Sequence, residues 1–186
     1  MFERGEMTSG GGSSGGNRGS SPGPMSHFLS EDHNRIDELL TRAIGADNEI
    51  DAEVYDGFRR ALLRHIGMEE KIVLPAVERR QGAPLPVAAQ LRLEHGAIAS
   101  LLVLIPTPQI VSVIRKVLKQ HNAREEGSDG VYSAVERVLQ SSAVEVLAQL
   151  RAAAEIPLKR CLTTPRVIAA ARRTLTRAGF DATLPD

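Results

Sequence analysis

LLRHIGMEEKIVLPAVE, residues 62–78, decides how this chain folds. Leu62, His65, Glu69, Ile72 and Ala76 recur at spacings of three and four, so they share one face of a helix. Phe58 extends the same line, and the helix is expected to run from about Ala52 to Arg80. An otherwise apolar stripe is broken by an imidazole and, one turn on, by a carboxylate. Pro75 inside the pattern predicts a bend or an early end.

Three other segments repeat the pattern. In EDHNRIDELL (31–40), His33 lies in line with Leu29, Ile36, Leu40 and Ala43. Ser30 is the expected cap, Glu31 and Asp32 fall in the first turn, and the helix ends near Gly45. In LRLEHGAIASLL (91–102), His95 aligns with Leu91, Ile98, Leu102 and Ile105, and Pro106 stops the helix. In LKQHNAREE (118–126), His121 and Glu125 follow Ile110, Ile114 and Val117, from a start near Gln109. The run Gly127 to Gly130 breaks that helix.

Short connectors such as Gly82 to Pro86 favour antiparallel neighbours. The fold class is therefore all-α, an up-down-up-down four-helix bundle over residues 25–140 with C-terminal accessory helices over 141–186. After the four bundle helices, further helices are expected at Val131 to Leu139, at Ala143 to Ala154, and from a Thr164 cap through Pro165 to Gly179. Arg166, Arg172, Arg173 and Arg177 on the last one read as a solvated face rather than a docking surface. Residues 1–24 are Gly/Ser-rich and expected to be flexible, and Met25 is itself a candidate start.

Composition narrows the function. Lys+Arg and Asp+Glu are both 23 in 186 residues, so no overall charge excess argues for a nucleic-acid or membrane partner. No apolar run is long enough to span a bilayer, and the amino terminus does not resemble a secretory signal. The chain has no Trp, two Tyr and four Phe, so its core must be aliphatic. The single cysteine, Cys161, cannot form an internal disulfide, which makes a reducing cytoplasm the simplest compartment. Cys161 itself reads as a half-buried small hydrophobe.

One histidine on an apolar stripe is usually a core residue with a satisfied hydrogen bond. Four segments doing the same, two with a glutamate one turn on, would bury imidazoles and carboxylates at a cost of several kcal/mol for each unpaired charge. A His/Glu hydrogen-bond network could satisfy some of these groups, but a cation satisfies them all. Mixed imidazole and carboxylate ligation suits iron, with manganese or zinc as alternatives. Six side chains overfill one zinc tetrahedron. They fit two iron ions bridged by Glu69, Glu125 and an oxo or hydroxo oxygen, with a position left for dioxygen, peroxide or another small ligand. The Glu-x-x-His spacing of ferritin-like di-iron bundles is missing.

These four segments, in this order and with the doubled Glu-Glu and the Leu-Pro of residues 74–75, resemble the helices of the hemerythrin-like, or HHE cation-binding, family. The resemblance covers roughly Met25 to Leu139. It implies that His33, His65, Glu69, His95, His121 and Glu125 are ligands of a non-heme di-iron centre. Such proteins carry or sense oxygen, respond to iron or redox state, or decompose peroxide. The oxygen-carrying members place a second histidine four residues after the third-helix ligand, where this chain has Ala99. That shifts the expectation from reversible carriage towards redox reactivity, sensing or metal handling. A peroxide-decomposing enzyme and a structural metal module are the competing readings.

The interruption at Gly127 to Gly130 also departs from relatives, which continue the helix. Glu70, Glu94 and Glu126 are read either as acceptors for a ligand His N–H or as exposed acids. His27 is a bystander. Gly67 either opens a ligand channel or lets a neighbour pack close. Tyr55 and Tyr132 lie too far along their helices to be placed at the metal.

Overall fold

The computed structural model describes residues 23–181 and 183–184; most of the expected flexible segment, residues 1–22, lies outside them. The described residues contain helices and no strand, with isolated bridges at Ile44–Ile50 and Leu104–Leu162. In chain order the helices are α1 (Pro24–Arg42), α2 (Ala52–Met68), α3 (Leu74–Gln81), α4 (Ala88–Leu101), α5 (Pro108–Glu126), α6 (Val131–Leu139), α7 (Ala143–Arg151) and α8 (Pro165–Ala178).

The buried apolar side chains form two clusters with a polar layer between them. α1 passes from Met25 and Leu29 in one cluster, through His33, to Ile36 and Leu40 in the other. α2 runs back, from Tyr55, Phe58 and Leu62 through His65 to Met68. α4 leads from Leu91 through His95 to Ile98 and Leu101. α5 returns from Ile110, Ile114 and Val117 to His121 and Glu125, and hands over to Val131 of α6. Each helix thus changes from apolar to polar and back at one level, and successive helices cross that level in opposite directions.

The second helix continues past Pro75, whose ring would collide with the carbonyl four residues back in a regular α-helix. A π-helical turn, Glu69–Val73, widens the backbone just ahead of Pro75 and connects α2 to α3. α1 also differs from expectation. It begins at Pro24, so Ser30 lies inside the helix and caps nothing. The carboxylate of Glu136 on α6 caps it from outside, accepting from the backbone N–H of Met25 at 2.7 Å and of Ser26 at 3.0 Å. α4 ends at Leu101, and Ile105 is 48% exposed rather than in line; the residue before Pro106 is steered out of the helical region.

The C-terminal helices are structural parts of the core rather than appendages. Val135, Leu139, Val146 and Leu150 complete one apolar cluster, and Ala171, Leu175 and Phe180 complete the other. α8 packs chiefly on α4, where Ser100 and Thr174 share a 2.7 Å hydrogen bond. Thr164 caps α8, with Pro165 in its first turn and Gly179 in the left-handed conformation (φ 80°) after it. Arg166, Arg172, Arg173 and Arg177 are exposed. The connector before α8 is tied down by buried Arg59, which donates to the carbonyls of Leu102 (3.0 Å) and Lys159 (2.8 Å). Cys161 is half-buried on this connector.

Candidate metal centre

All six residues singled out by spacing meet in the polar layer, each at most 5% exposed. They form two overlapping sets, His33–His65–Glu69–Glu125 and Glu69–His95–His121–Glu125, and within each set the candidate ligand atoms lie within 4.8 Å of one another. Each shared carboxylate turns one oxygen to each set. Glu69 Oε1 is 3.5 Å from His65 Nε2, and its Oε2 is 3.1 Å from His95 Nε2. Glu125 Oε2 is 3.4 Å from His33 Nε2, and its Oε1 is 3.3 Å from His121 Nε2.

All four imidazoles point Nε2 inward, because a carboxylate holds each Nδ1. The partners are Glu126 for His33 (2.5 Å), Asp32 for His65 (3.0 Å), Glu70 for His95 (2.7 Å) and Glu94 for His121 (2.8 Å). A carboxylate can only accept, so each Nδ1 is the donor in its pair, and each Nε2 can offer a lone pair to a cation once it carries no proton of its own. The doubled glutamates now divide their labour. Glu69 and Glu125 face the centre, while Glu70 and Glu126 grip a histidine from another helix. Glu94 is also ion-paired with Arg124. Asp32, expected only as a first-turn acid, is 7% exposed and is held by Arg35 as well as His65.

Burial disfavours charge on His65, but Glu69 and Asp32 outweigh it and raise its pKa to about 10. Against the same effect, Glu125, Glu69 and Glu70 raise His95 to about 10. Burial prevails at His121 and lowers it. Glu69, despite its burial, is held well below the usual carboxylate range by His65 and His95.

These residues fit a cation. Glu69 Oε2, His95 Nε2 and Glu125 Oε1 are buried and make no well-directed hydrogen bond, although His95 Nε2 lies 3.1 Å from Glu69 Oε2 and 3.9 Å from Glu125 Oε1. Without a cation, only the attraction between opposite charges offsets their desolvation. All three belong to the second set. In the first set the corresponding atoms meet a group that spacing did not find, the hydroxyl of Tyr132. The turn at Gly127–Gly130 ends α5 and restarts the chain as α6, which brings Tyr132 back to the centre. The clue was the Gly-Ser-Asp-Gly interruption itself, which changes the helical register.

The other candidates fall elsewhere. His27 is exposed and pairs with Glu31. Tyr55 is buried in an apolar cluster beside Phe58. Gly67 is explained by packing: a Cβ there would lie 3.1 Å from Ile156 Cδ1. Ala99 is half-buried, so each set contains two histidines and no third. A cavity of about 410 Å³ between α1, α2 and α5 reaches His33, His65 and His121, with Asp37, Arg115 and Lys119 at its exposed end.

No curated protein and no solved structure matches the chain. The family model of the hemerythrin HHE cation binding domain matches residues 25–130, which include every residue of both sets. Helical fold, buried His/Glu sets and family match agree: the chain belongs to the hemerythrin HHE cation-binding family.

Proposed function

We propose that this protein holds two iron ions between His33, His65, Glu69, His95, His121 and Glu125 and uses them to bind or sense dioxygen, peroxide or cellular iron and redox status. The observation that carries this is the double-facing geometry of Glu69 and Glu125, each with one oxygen in each set. Two carboxylates arranged in this way are suited to bridge a pair of cations. Imidazole-carboxylate donors favour iron over a purely structural zinc, which prefers a closed tetrahedron. Iron bound there supplies electron transfer and, with so few protein donors, a position open to a small ligand.

The protein's own residues do the rest. The Nδ1-bound carboxylates orient the rings, the two apolar clusters exclude bulk water, and the cavity reaching three of the histidines gives a small molecule a way in. With two histidines per set, the centre suits redox sensing or metal handling better than reversible oxygen carriage. A cytoplasmic setting would keep Cys161 a thiol.

Azide added to the oxidised, iron-loaded protein tests the proposal. A changed visible spectrum supports an exchangeable position, and an unchanged one indicates a structural metal. Gas evolution from peroxide, lost on His65→Ala, would make the protein an enzyme rather than a sensor.

A further inference from the structure

Tyr132 is 3% exposed and lies two residues beyond the span matched by the family model. Its Oη is 2.8 Å from Glu69 Oε1, 3.2 Å from His33 Nε2, 3.3 Å from His65 Nε2 and 3.3 Å from Glu125 Oε2. That is one contact with each member of the first set and with the atom each member turns inward. None of these hydrogen bonds reaches His95 or His121.

Ordinary hydrogen bonding accounts for only part of this. A phenol has one proton to give and can accept about two hydrogen bonds, so it cannot satisfy four partners at once. The distances have another meaning. Metal–ligand bonds of about 2.1 Å place two donors at right angles about 3.0 Å apart. The phenol oxygen is near that spacing from all four donors, as a fifth ligand of the same ion would be. The backbone is built to keep it there. Gly130 N–H donates to the Gly127 carbonyl at 2.7 Å, and a Cβ on Gly130 would lie 2.5 Å from the Glu125 carbonyl oxygen. The tight turn thus joins the ligand Glu125 to the helix that presents Tyr132.

We propose that Tyr132 is a phenolate ligand of the cation held by His33, His65, Glu69 and Glu125, an inference that rests on the metal-centre reading above. On binding, the phenol O–H bond breaks, its proton leaves to solvent, and the oxygen lone pair is given to the cation. The two positions then differ, with five protein donors at one and four at the other. An anionic oxygen ligand of this kind favours the ferric state.

The test uses the full chain, purified without metal, loaded anaerobically with ferrous iron and oxidised with ferricyanide. Iron content, visible absorption and resonance Raman spectra are recorded. The expected result is a broad phenolate-to-iron charge-transfer band whose enhanced ring vibrations shift when the protein is grown on ring-deuterated tyrosine. Tyr132→Phe should lose the band and Tyr55→Phe should keep it; the chain has only these two tyrosines and no Trp. Iron-replete wild-type protein without deuterium-sensitive ring modes would overturn the ligand assignment and leave the metal centre standing. So would a band that survives Tyr132→Phe. Wild-type protein that takes up no iron would overturn both. The deuterium shift is read on the wild type, so the assignment stays testable even if Tyr132→Phe fails to fold.

Discussion

Asp32 Oδ2 lies 3.0 Å from His65 Nδ1, across the interface between α1 and α2. Neither residue is more than 7% exposed. The contact fixes the ring of His65 so that Nε2 faces Glu69, and it ties a buried mid-helix acid of α1 to a candidate ligand on α2. The other three histidines are oriented in the same way by Glu126, Glu70 and Glu94.

Asp32→Asn keeps the shape but removes the charge that orients and polarises His65. Metal affinity should fall roughly 10–100-fold, with helix content unchanged by circular dichroism. Competition against a chelator of known strength measures it, and unchanged affinity would show that the contact is incidental.

The overlap of the two sets predicts unequal losses. His33→Ala leaves Glu69, His95, His121 and Glu125 together and should keep one ion per chain. Glu125→Ala opens both sets and should keep less metal than His33→Ala. Metal-to-protein ratios after equilibrium dialysis decide it.

Protons compete with the metal. His65 and His95, each raised to about 10, hold their protons through neutral pH in the metal-free protein. A cation must displace them, so binding at neutral pH should release roughly two protons from these rings, and apparent affinity should climb with pH. Calorimetry in buffers of different ionisation enthalpy counts them. For the metal-free fold the sign is the opposite. Both values lie above the ordinary imidazole value of about 6.5, so this stabilisation is complete below that pH and fades as pH rises towards 10. The chelator-treated protein should melt at a lower temperature at the alkaline end of that range.

Gly130→Ala puts a Cβ against backbone, which cannot yield as a side chain can. The variant should lose roughly 1–3 kcal/mol, seen as a lower denaturant midpoint. Ser30→Ala, by contrast, should cost little, because Glu136 caps α1.

Helix faces and the meeting of the six candidate residues were legible because a 3.6-residue period links spacing directly to direction. Three features were not. The outside cap by Glu136 comes from a contact 111 residues distant, which a local pattern does not contain. At Pro75 the pattern predicts a bend or an early end, but it does not contain the π-helical turn that absorbs the proline and keeps the segment helical. The sequence pattern puts Tyr132 too far along its helix to reach the centre, because a helix break does not say where the chain turns next; the turn at Gly127–Gly130 brings it back. Asp32 and Glu94 were visible as acids, but only packing shows which histidine each one faces.

The most direct test of the account is metal analysis of protein purified from iron-replete cells. Two irons per chain, one for each overlapping set, are predicted, together with a visible spectrum that His65→Ala changes. A colourless protein carrying a single zinc, or one with no metal that resists loading, would contradict it.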